Sequence, residues 1–222
     1  MNVILFGATG MIGQGVLREC LLDPEVKKVL SIVRTPSGTP VDPKVTELVH
    51  KDFYDFSALA PQLAGYDACL FCLGVSSAGM KEDAYTRITY DLTLAAAQAL
   101  VQHSDLTFLY ISGAGTDGSE RGGSMWARVK GKTENALLQM PFKAAYMFRP
   151  GFIQPRNGIK SKTTMYRIIY AILGPLYFLL KGLSGFVTST DRVGKVMLSV
   201  AKHGADKRVL ENRDINDLAK TL

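Results

Sequence analysis

The strongest constraint on the fold is a glycine-rich turn directly after the first apolar run of the chain. The run Asn2–Phe6 is typical of a parallel strand buried on both faces, and it stops at Gly7. Two more glycines follow at Gly10 and Gly13, and helical spacing of apolar residues begins at about Val16. Glycines at this spacing allow a tight turn, a close approach of the backbone to a pyrophosphate, and close packing of a helix on a sheet.

The helix after this turn predicts a binding site for phosphates. Its first N–H groups have no partner within the helix, and its N-terminus carries a partial positive charge. A purely structural turn is the alternative, since any tight strand-to-helix connection can use two glycines. Within the strand–turn–helix pattern we predict dinucleotide binding, with contacts from Gly7, Thr9, Gly10, Met11, Ile12 and Gly13.

The end of the second predicted strand indicates which dinucleotide binds. The strand Val29–Val33 ends at Arg34, about 20 residues after the last glycine, where an NAD site carries an acidic residue for the ribose 2′-hydroxyl. A guanidinium at this point would bind a 2′-phosphate in bidentate fashion, whereas a carboxylate would repel it. Arg34 therefore favours NADP(H) over NAD(H), and a solvated arginine at a strand end is the alternative.

Strand and helix patterns alternate through the first 150 residues, which predicts an α/β fold. The predicted order implies right-handed crossovers and a Rossmann-like doubly wound parallel sheet with helices on both faces. In such sheets, ligands bind beyond the carboxyl ends of the strands. The loops expected at that edge are the glycine-rich turn, Arg34, Asp52-Phe53, Cys72-Leu73-Gly74, Ser112-Gly113 and Pro150-Gly151-Phe152.

Length and composition favour one compact domain over residues 1–222. The chain is 47% hydrophobic, and no linker rich in Gly, Ser or Pro divides it. Its net charge of +6 comes from scattered lysines and arginines without interleaved aromatic residues, so we expect no nucleic-acid partner. The start of the chain lacks the pattern of a secretory signal, which predicts a cytoplasmic protein.

The cysteines do not predict a redox or metal site. Cys69 and Cys72 form a CxxC spacing, but both lie in an apolar run that reads as a strand. Residues three apart on a strand point to opposite faces and sit about 10 Å apart. The three histidines are too dispersed to complete a zinc site with them, so we expect buried, unpaired thiols and no metal.

An uncharged stretch of 13 residues, Ile168–Leu180, follows the alternating region. A membrane-spanning helix needs about 20 apolar residues, and Pro175 would kink this one. Burial in the core or in a homodimer contact is the favoured interpretation. Peripheral insertion into a membrane surface is the alternative, because four basic residues flank the stretch: Lys160, Lys162, Arg167 and Lys181.

The ordered set of motifs resembles the atypical short-chain dehydrogenase/reductases, in particular the small epimerase-like NAD(P)-binding proteins related to the Tat-interacting protein oxidoreductase. The resemblance covers nearly the whole chain. It rests on Gly7-x-x-Gly10-x-x-Gly13, Asp52-Phe53, Cys72-Leu73-Gly74, Tyr110-Ile111-Ser112-Gly113, Val129-Lys130-Gly131-Lys132-Thr133-Glu134 and Arg149-Pro150-Gly151-Phe152.

The resemblance implies a role for each matching residue. Asp52 would contact adenine, with Phe53 beside it, and Cys72-Leu73-Gly74 would line the nicotinamide ribose. Lys130 would bind that ribose, and Pro150-Gly151-Phe152 would flank the carboxamide. Residues from about 151 to 190 would form a small C-terminal substrate lobe.

The departure from the family falls on the catalytic tyrosine. Active members place a tyrosine four residues before the lysine, and this chain has Trp126 before Lys130. Indole N–H is a donor only, whereas a tyrosine hydroxyl transfers a proton. Ser112 and Lys130 are retained as candidate catalytic residues, and Trp126 with Ser76 is expected to line the substrate pocket. Substitute proton donors would be Tyr85, Ser76 and Ser77.

Three functional hypotheses stay open from the sequence. The first is an NADP(H)-dependent oxidoreductase acting on a small carbonyl or hydroxyl compound, which the retention of Ser112 and Lys130 favours. The second is a non-catalytic NADP(H)-binding module that reports redox state to a partner, which Trp126 favours. The third is a flavin-reductase-like enzyme, because hydride transfer to a flavin needs no tyrosine acid.

Overall fold

A seven-stranded sheet, parallel throughout, forms the centre of the molecule in a computed structural model that describes residues 1–38, 42–102, 105–159 and 185–222. Its strands are β1 (Asn2–Phe6), β2 (Lys28–Val33), β3 (Val45–Val49), β4 (Ala68–Phe71), β5 (Thr107–Ile111), β6 (Ala144–Arg149) and β9 (Val209–Glu211). The order of the strands across the sheet is β3-β2-β1-β4-β5-β6-β9.

Helices connect these strands. They are α1 (Met11–Leu22), α2 (Glu82–Thr86), α3 (Leu92–Leu100), α4 (Met125–Gln139), α5 (Thr190–His203) and α6 (Asn212–Ala219), with a 3₁₀ helix at Ser57–Gln62. Because helices cover both faces of the sheet, the central strands are apolar along their whole length. Along β1, Ile4 and Phe6 pack into one core, and Val3 and Leu5 pack into the other. The predicted α/β fold with a doubly wound parallel sheet is confirmed.

The helix between β4 and β5 is less regular than the sequence predicts. The alanine-rich pattern predicts one helix from about Lys81 to His103. A π-helical turn at Arg87–Asp91 separates α2 from α3, and α3 ends at Leu100. Turns of this kind are rare single turns inside α-helices, and the apolar, alanine-rich sequence does not mark the position of this one.

A second, two-stranded sheet lies beyond the main one. Its strands β7 (Phe152–Gln154) and β8 (Val187–Ser189) pair in parallel, and neither was predicted from sequence. The apolar stretch Ile168–Leu180 and its flanking basic residues lie outside the described residues, so its burial, dimer contact or membrane contact stays a prediction. In the described ranges, no helix combines the length and apolar character that crossing a membrane requires.

Helix α4 is fixed by a hydrogen-bonded loop that precedes it. The Asp117 carboxylate accepts hydrogen bonds from the main-chain N–H groups of Ser119, Arg121 and Gly122 and from the Ser119 hydroxyl, at 2.6–3.1 Å. The Asp117 N–H in turn donates to the Ala127 carbonyl at 3.0 Å. Gly131 lies directly against this loop, and a Cβ atom there would be 1.8 Å from the Asp117 carbonyl oxygen.

Gly131→Ala is therefore expected to lower the free energy of unfolding by about 1–3 kcal/mol, because the methyl group must push the loop or the helix aside. Urea denaturation followed by circular dichroism measures the change. Gly123→Ala is the matched control, since a Cβ atom at Gly123 meets nothing within 4 Å. Equal stability of the two variants would contradict the close contact between α4 and the loop.

Candidate cofactor site

The candidate site lies at the carboxyl edge of the sheet, beside β1. The order of the strands reverses at this point, because the chain runs from β1 to β2 and β3 on one side and continues through β4 to β6 on the other. In sheets of this topology, ligands bind in the crevice beyond the carboxyl ends of the strands at this switch point. The structure brings the glycine-rich turn, Cys72-Leu73-Gly74 and Ser112 to this edge, as expected.

The glycine-rich turn is tight enough to exclude side chains at two positions. Gly7 has a φ angle of +81°, and a Cβ atom there would lie 2.7 Å from the Cys72 main chain. A Cβ atom at Gly13 would lie 2.0 Å from the Gly7 carbonyl oxygen. That oxygen accepts a hydrogen bond from the Gly10 N–H at 2.9 Å. The turn thus places the first residues of α1, Met11 and Ile12, directly after it, with Thr9 at its tip.

A helix that starts in this way presents its N–H groups to the crevice. Gly10 occupies the N-cap position without any side-chain cap, and the first turn of α1 contains no acidic residue. The free N–H groups and the positive end of the helix dipole therefore have no competing negative charge within the helix itself. This arrangement suits a pyrophosphate.

Two cations lie at the neighbouring ends of β2 and β3. Val33 pairs with Val49, and the His50 N–H donates to the Val33 carbonyl at 2.8 Å. Arg34 and Lys51 follow these residues, and both are exposed. Lys51 was not predicted from sequence, and the signal that would have found it is the register of the parallel β2–β3 pair.

Asp52 and Phe53 occupy different environments. Asp52 is exposed, and its carboxylate accepts a hydrogen bond from the Tyr54 N–H at 2.9 Å. Phe53 is 4% exposed and makes edge-to-face contacts with Phe6 and Phe56 at centroid distances of 6.1 and 5.6 Å. The Phe53 ring therefore belongs to the core, directly beside the exposed Asp52.

The loop after β4 continues the sheet for one residue. The Cys72 N–H donates to the Phe6 carbonyl at 3.0 Å, and exposure then rises from the half-buried Leu73 to the exposed Gly74. Cys69 and Cys72 pack into opposite cores, which confirms that they do not pair. Burial raises the pKa of the Cys72 thiol, so it stays protonated and unreactive at neutral pH.

Lys130 lies on α4 and turns toward the loop after β5. Its Nζ atom donates a hydrogen bond to the Ser112 main-chain carbonyl. Burial lowers the pKa of Lys130 to about 8, and the nearby Glu134 carboxylate opposes this fall. The lysine is therefore a cation at neutral pH that loses its proton within reach of physiological conditions.

Ser112 does not have the placement expected of a substrate-polarising residue. It is 6% exposed, and its hydroxyl group lies 2.5 Å from the Glu134 carboxylate and 3.0 Å from the Phe148 carbonyl. Glu134 is 1% exposed and forms a bidentate ion pair with Arg149, which also contacts Glu211 at 3.0 Å. The Ser112 hydroxyl group, which was expected to face the substrate, thus donates its hydrogen bond to the buried Glu134 carboxylate.

Trp126 lies one turn before Lys130 on the same face of α4. Its indole ring is half-buried and covers Gly115, where a Cβ atom would be 3.5 Å from the ring edge. Ser76 is half-buried and accepts a hydrogen bond from the Ala78 N–H at 3.3 Å. Tyr85 is 1% exposed, so its hydroxyl is not available at a pocket surface as a substitute acid.

The turn after β6 is joined to three other segments. The Pro150 carbonyl accepts a hydrogen bond from the Ala114 N–H at 2.8 Å. The Gly151 N–H donates to the Asn212 side chain at 2.8 Å, and a Cβ atom at Gly151 would be 2.3 Å from the Phe186 carbonyl oxygen. Phe152 is half-buried, and its N–H donates to that same oxygen at 2.8 Å.

The geometry agrees with a family match across most of the sheet. A family model described as NAD(P)H-binding matches residues 7–145, from the glycine-rich turn into β6. The chain belongs to the NAD(P)H-binding family. It is an atypical short-chain dehydrogenase/reductase related to the HTATIP2 proteins, as the motifs predict.

Two relatives of this NAD(P)H-binding protein align over nearly its whole length. Protein FMP52, mitochondrial, from Saccharomyces cerevisiae is 29% identical and covers 100% of this chain and 98% of its own. Protein HTATIP2 from Rattus norvegicus is 25% identical and covers 99% of this chain and 89% of its own. The prediction of a cytoplasmic protein is contradicted, because the yeast protein and its fungal counterparts are named mitochondrial.

Solved structures with low identity share the fold of this NAD(P)H-binding protein. A thiolation-reductase di-domain from an archaeal non-ribosomal peptide synthetase superimposes with a TM-score of 0.72 at 17% identity, covering 99% of this chain and 74% of the other. The dTDP-glucose 4,6-dehydratase DesIV from Streptomyces venezuelae, with NAD and TYD bound, gives 0.71 at 17% identity, covering 100% and 80%.

Ser112→Ala is expected to destabilise the protein by about 1–3 kcal/mol, because it leaves a buried carboxylate oxygen without its hydroxyl partner. Urea denaturation measures the loss. Ser124→Ala is the control, since Ser124 is exposed and makes no side-chain cap on α4, and its change should stay within about 0.5 kcal/mol. A Ser112 variant as stable as wild type would show that the Ser112–Glu134 contact contributes nothing.

Proposed function

We propose that the protein is an NADP(H)-dependent oxidoreductase acting on a small carbonyl or hydroxyl compound. The observation that carries the proposal is the turn between β1 and α1, whose two glycines bring main chain from β1, α1 and β4 together at the switch point. In this arrangement the N–H groups of α1 bind the pyrophosphate. The bound cofactor would supply hydride at its nicotinamide ring.

The preference for NADP(H) rests on charge at the ends of β2 and β3. Arg34 binds the 2′-phosphate through its guanidinium group, and Lys51 adds a second positive charge beside it. Both side chains are exposed, so their charges are solvated by water when no cofactor is bound. Asp52 lies next to this phosphate site and contacts the adenine.

The nicotinamide end of the cofactor lies against α4. Lys130 holds the nicotinamide ribose by its ammonium group, and Cys72-Leu73-Gly74 borders the same ribose. Pro150-Gly151-Phe152 flanks the carboxamide. Trp126 and Ser76 form the wall of the substrate pocket, with the indole ring supplying an apolar surface and no proton.

A second candidate function is a non-catalytic NADP(H)-binding module that responds to redox state. The placement of Ser112 favours it, because the hydroxyl group faces Glu134 instead of a substrate. Trp126 at the tyrosine position favours it as well. A flavin-reductase-like activity is the third candidate, and a flavin belongs in the substrate panel for that reason.

Cofactor choice is tested by Arg34→Gln, which should weaken NADPH binding about 10- to 100-fold and leave NADH binding nearly unchanged, because only NADPH carries the 2′-phosphate. Quenching of the fluorescence of Trp126, the single tryptophan, measures the dissociation constants. Arg213→Gln removes the same charge from the exposed face of α6 and serves as control. Equal NADPH affinity in the two variants would remove Arg34 from the phosphate site.

Catalysis is tested by Trp126→Tyr, which should create or raise NADPH-dependent reduction of aldehydes and ketones by about 10² or more, since general acid catalysis contributes factors of this size. Oxidation of NADPH is followed by absorbance over a panel of carbonyl compounds, with a flavin included. Trp126→Phe keeps an aromatic wall without a hydroxyl group and is the control. No gain over Trp126→Phe in any reaction, with NADPH binding shown to be intact by isothermal titration calorimetry, would favour the non-catalytic module.

A further inference from the structure

Glu134 is a buried acidic residue to which the proposed function assigns no role. It lies one turn after Lys130 on α4, is 1% exposed, and carries a carboxylate in the interior between α4, β5 and β6. Burying an isolated carboxylate is costly, so a buried acid is normally paired and fully hydrogen-bonded. Here the Arg149 guanidinium contacts both Glu134 oxygens at 2.5–3.2 Å.

The same carboxylate also connects to the loop that Lys130 contacts. One Glu134 oxygen lies 2.5 Å from the Ser112 hydroxyl, and the Ser112 carbonyl accepts the hydrogen bond from Lys130 Nζ. Ser112 is therefore held from two sides, by the acid through its side chain and by the lysine through its main chain. A shift of the Glu134 carboxylate would therefore move Ser112. The Ser112 carbonyl oxygen accepts the hydrogen bond that orients the Lys130 side chain.

We propose that Glu134 is a positioning residue for Lys130, holding Ser112 in place and maintaining the charge of the lysine for the cofactor ribose. The proposal rests on the proposed function, because it assigns Lys130 to that ribose. Glu134 itself is 1% exposed, so in this role it acts through Ser112 and Lys130 and not by direct contact with the cofactor.

The charges around Lys130 support an electrostatic part of this role. Burial favours the neutral amine, and Glu134 opposes that effect by lying within Coulombic range of the ammonium group. The elements packed against α4 carry other titratable groups, namely Arg149 on β6, Tyr110 on β5, Glu82, Asp83 and Tyr85 on α2, and Arg87, Tyr90 and Asp91 in the π-helical turn. Two of these already have partners on α4, since Glu82 pairs with Arg128 and the Lys132 ammonium group lies over the Tyr90 ring. Burial raises the pKa of Tyr110, so that side chain stays neutral throughout the range in which Lys130 titrates.

The test measures the protonation of Lys130 in the protein without cofactor. A neutral amine reacts with acetic anhydride and an ammonium group does not, so the labelling rate of Lys130, read by peptide mass spectrometry, gives its titration midpoint. The wild-type midpoint is expected near pH 8. Glu134→Gln should lower it by about 1 pH unit, because the opposite charge is lost.

Arg149→Gln separates this role from a merely structural one. It breaks the same buried ion pair as Glu134→Gln but removes a positive charge, so the midpoint should stay unchanged or rise. Glu211→Gln, which removes only the half-exposed contact of Arg149, is the control and should leave the midpoint at the wild-type value. Midpoints that fall in both Glu134→Gln and Arg149→Gln, or in neither, would overturn the proposal.

Two further measurements distinguish a failure of this proposal from a failure of the proposed function and from a folding defect. At pH 8, Glu134→Gln should bind NADPH about five-fold more weakly than wild type, which is the loss of protonated lysine for a shift of about 1 unit. If wild type fails to bind NADPH at all, the proposed function fails while the labelling result still decides the role of Glu134. Should Glu134→Gln fail to fold, Glu134→Asp keeps the charge and is expected to keep the midpoint, and a lowered midpoint there would contradict the proposal.

Discussion

The close contact between the first turn and the loop after β4 determines the shape of the carboxyl edge. Gly7 and Gly13 leave no room for a side chain, so β1, α1 and β4 approach one another at main-chain distance. Because every strand of the seven-stranded sheet is parallel, the loops that follow the other strands also begin at this edge. The site is therefore built from the ends of many strands, and the position of each loop depends on the register of the sheet and not on its own sequence alone.

Much of this arrangement could be predicted from the sequence, because it is encoded locally. Apolar runs such as Asn2–Phe6 predict strands buried on both faces, and the glycine spacing predicts the turn. The opposite facing of Cys69 and Cys72 follows from the period of a strand. Each of these features is determined by residues that are close in sequence. The doubly wound sheet and the class of cofactor could therefore be predicted from the sequence.

The features that were missed depend on contacts between distant residues. Ser112 has the sequence position of a substrate-polarising serine, yet its hydroxyl group is used by Glu134, 22 residues later. The Phe53 ring packs on Phe6 from another strand. Lys51 comes near Arg34 only through the pairing of β2 with β3, and the short strands β7 and β8 have too few residues for a periodic signal. None of these partners can be identified from spacing.

The order in which the chain is synthesised has a consequence for the turn after β6. Arg149 pairs with Glu211 on β9, and the Gly151 N–H bonds to Asn212 at the start of α6. Both partners are translated about 60 residues after the turn, when the preceding six strands of the sheet have already been synthesised. A nascent chain can thus form the glycine-rich turn early, but the turn after β6 gains these two contacts only after Glu211 and Asn212 have been translated. The glycine-rich turn and the turn after β6 therefore reach their final contacts at different times.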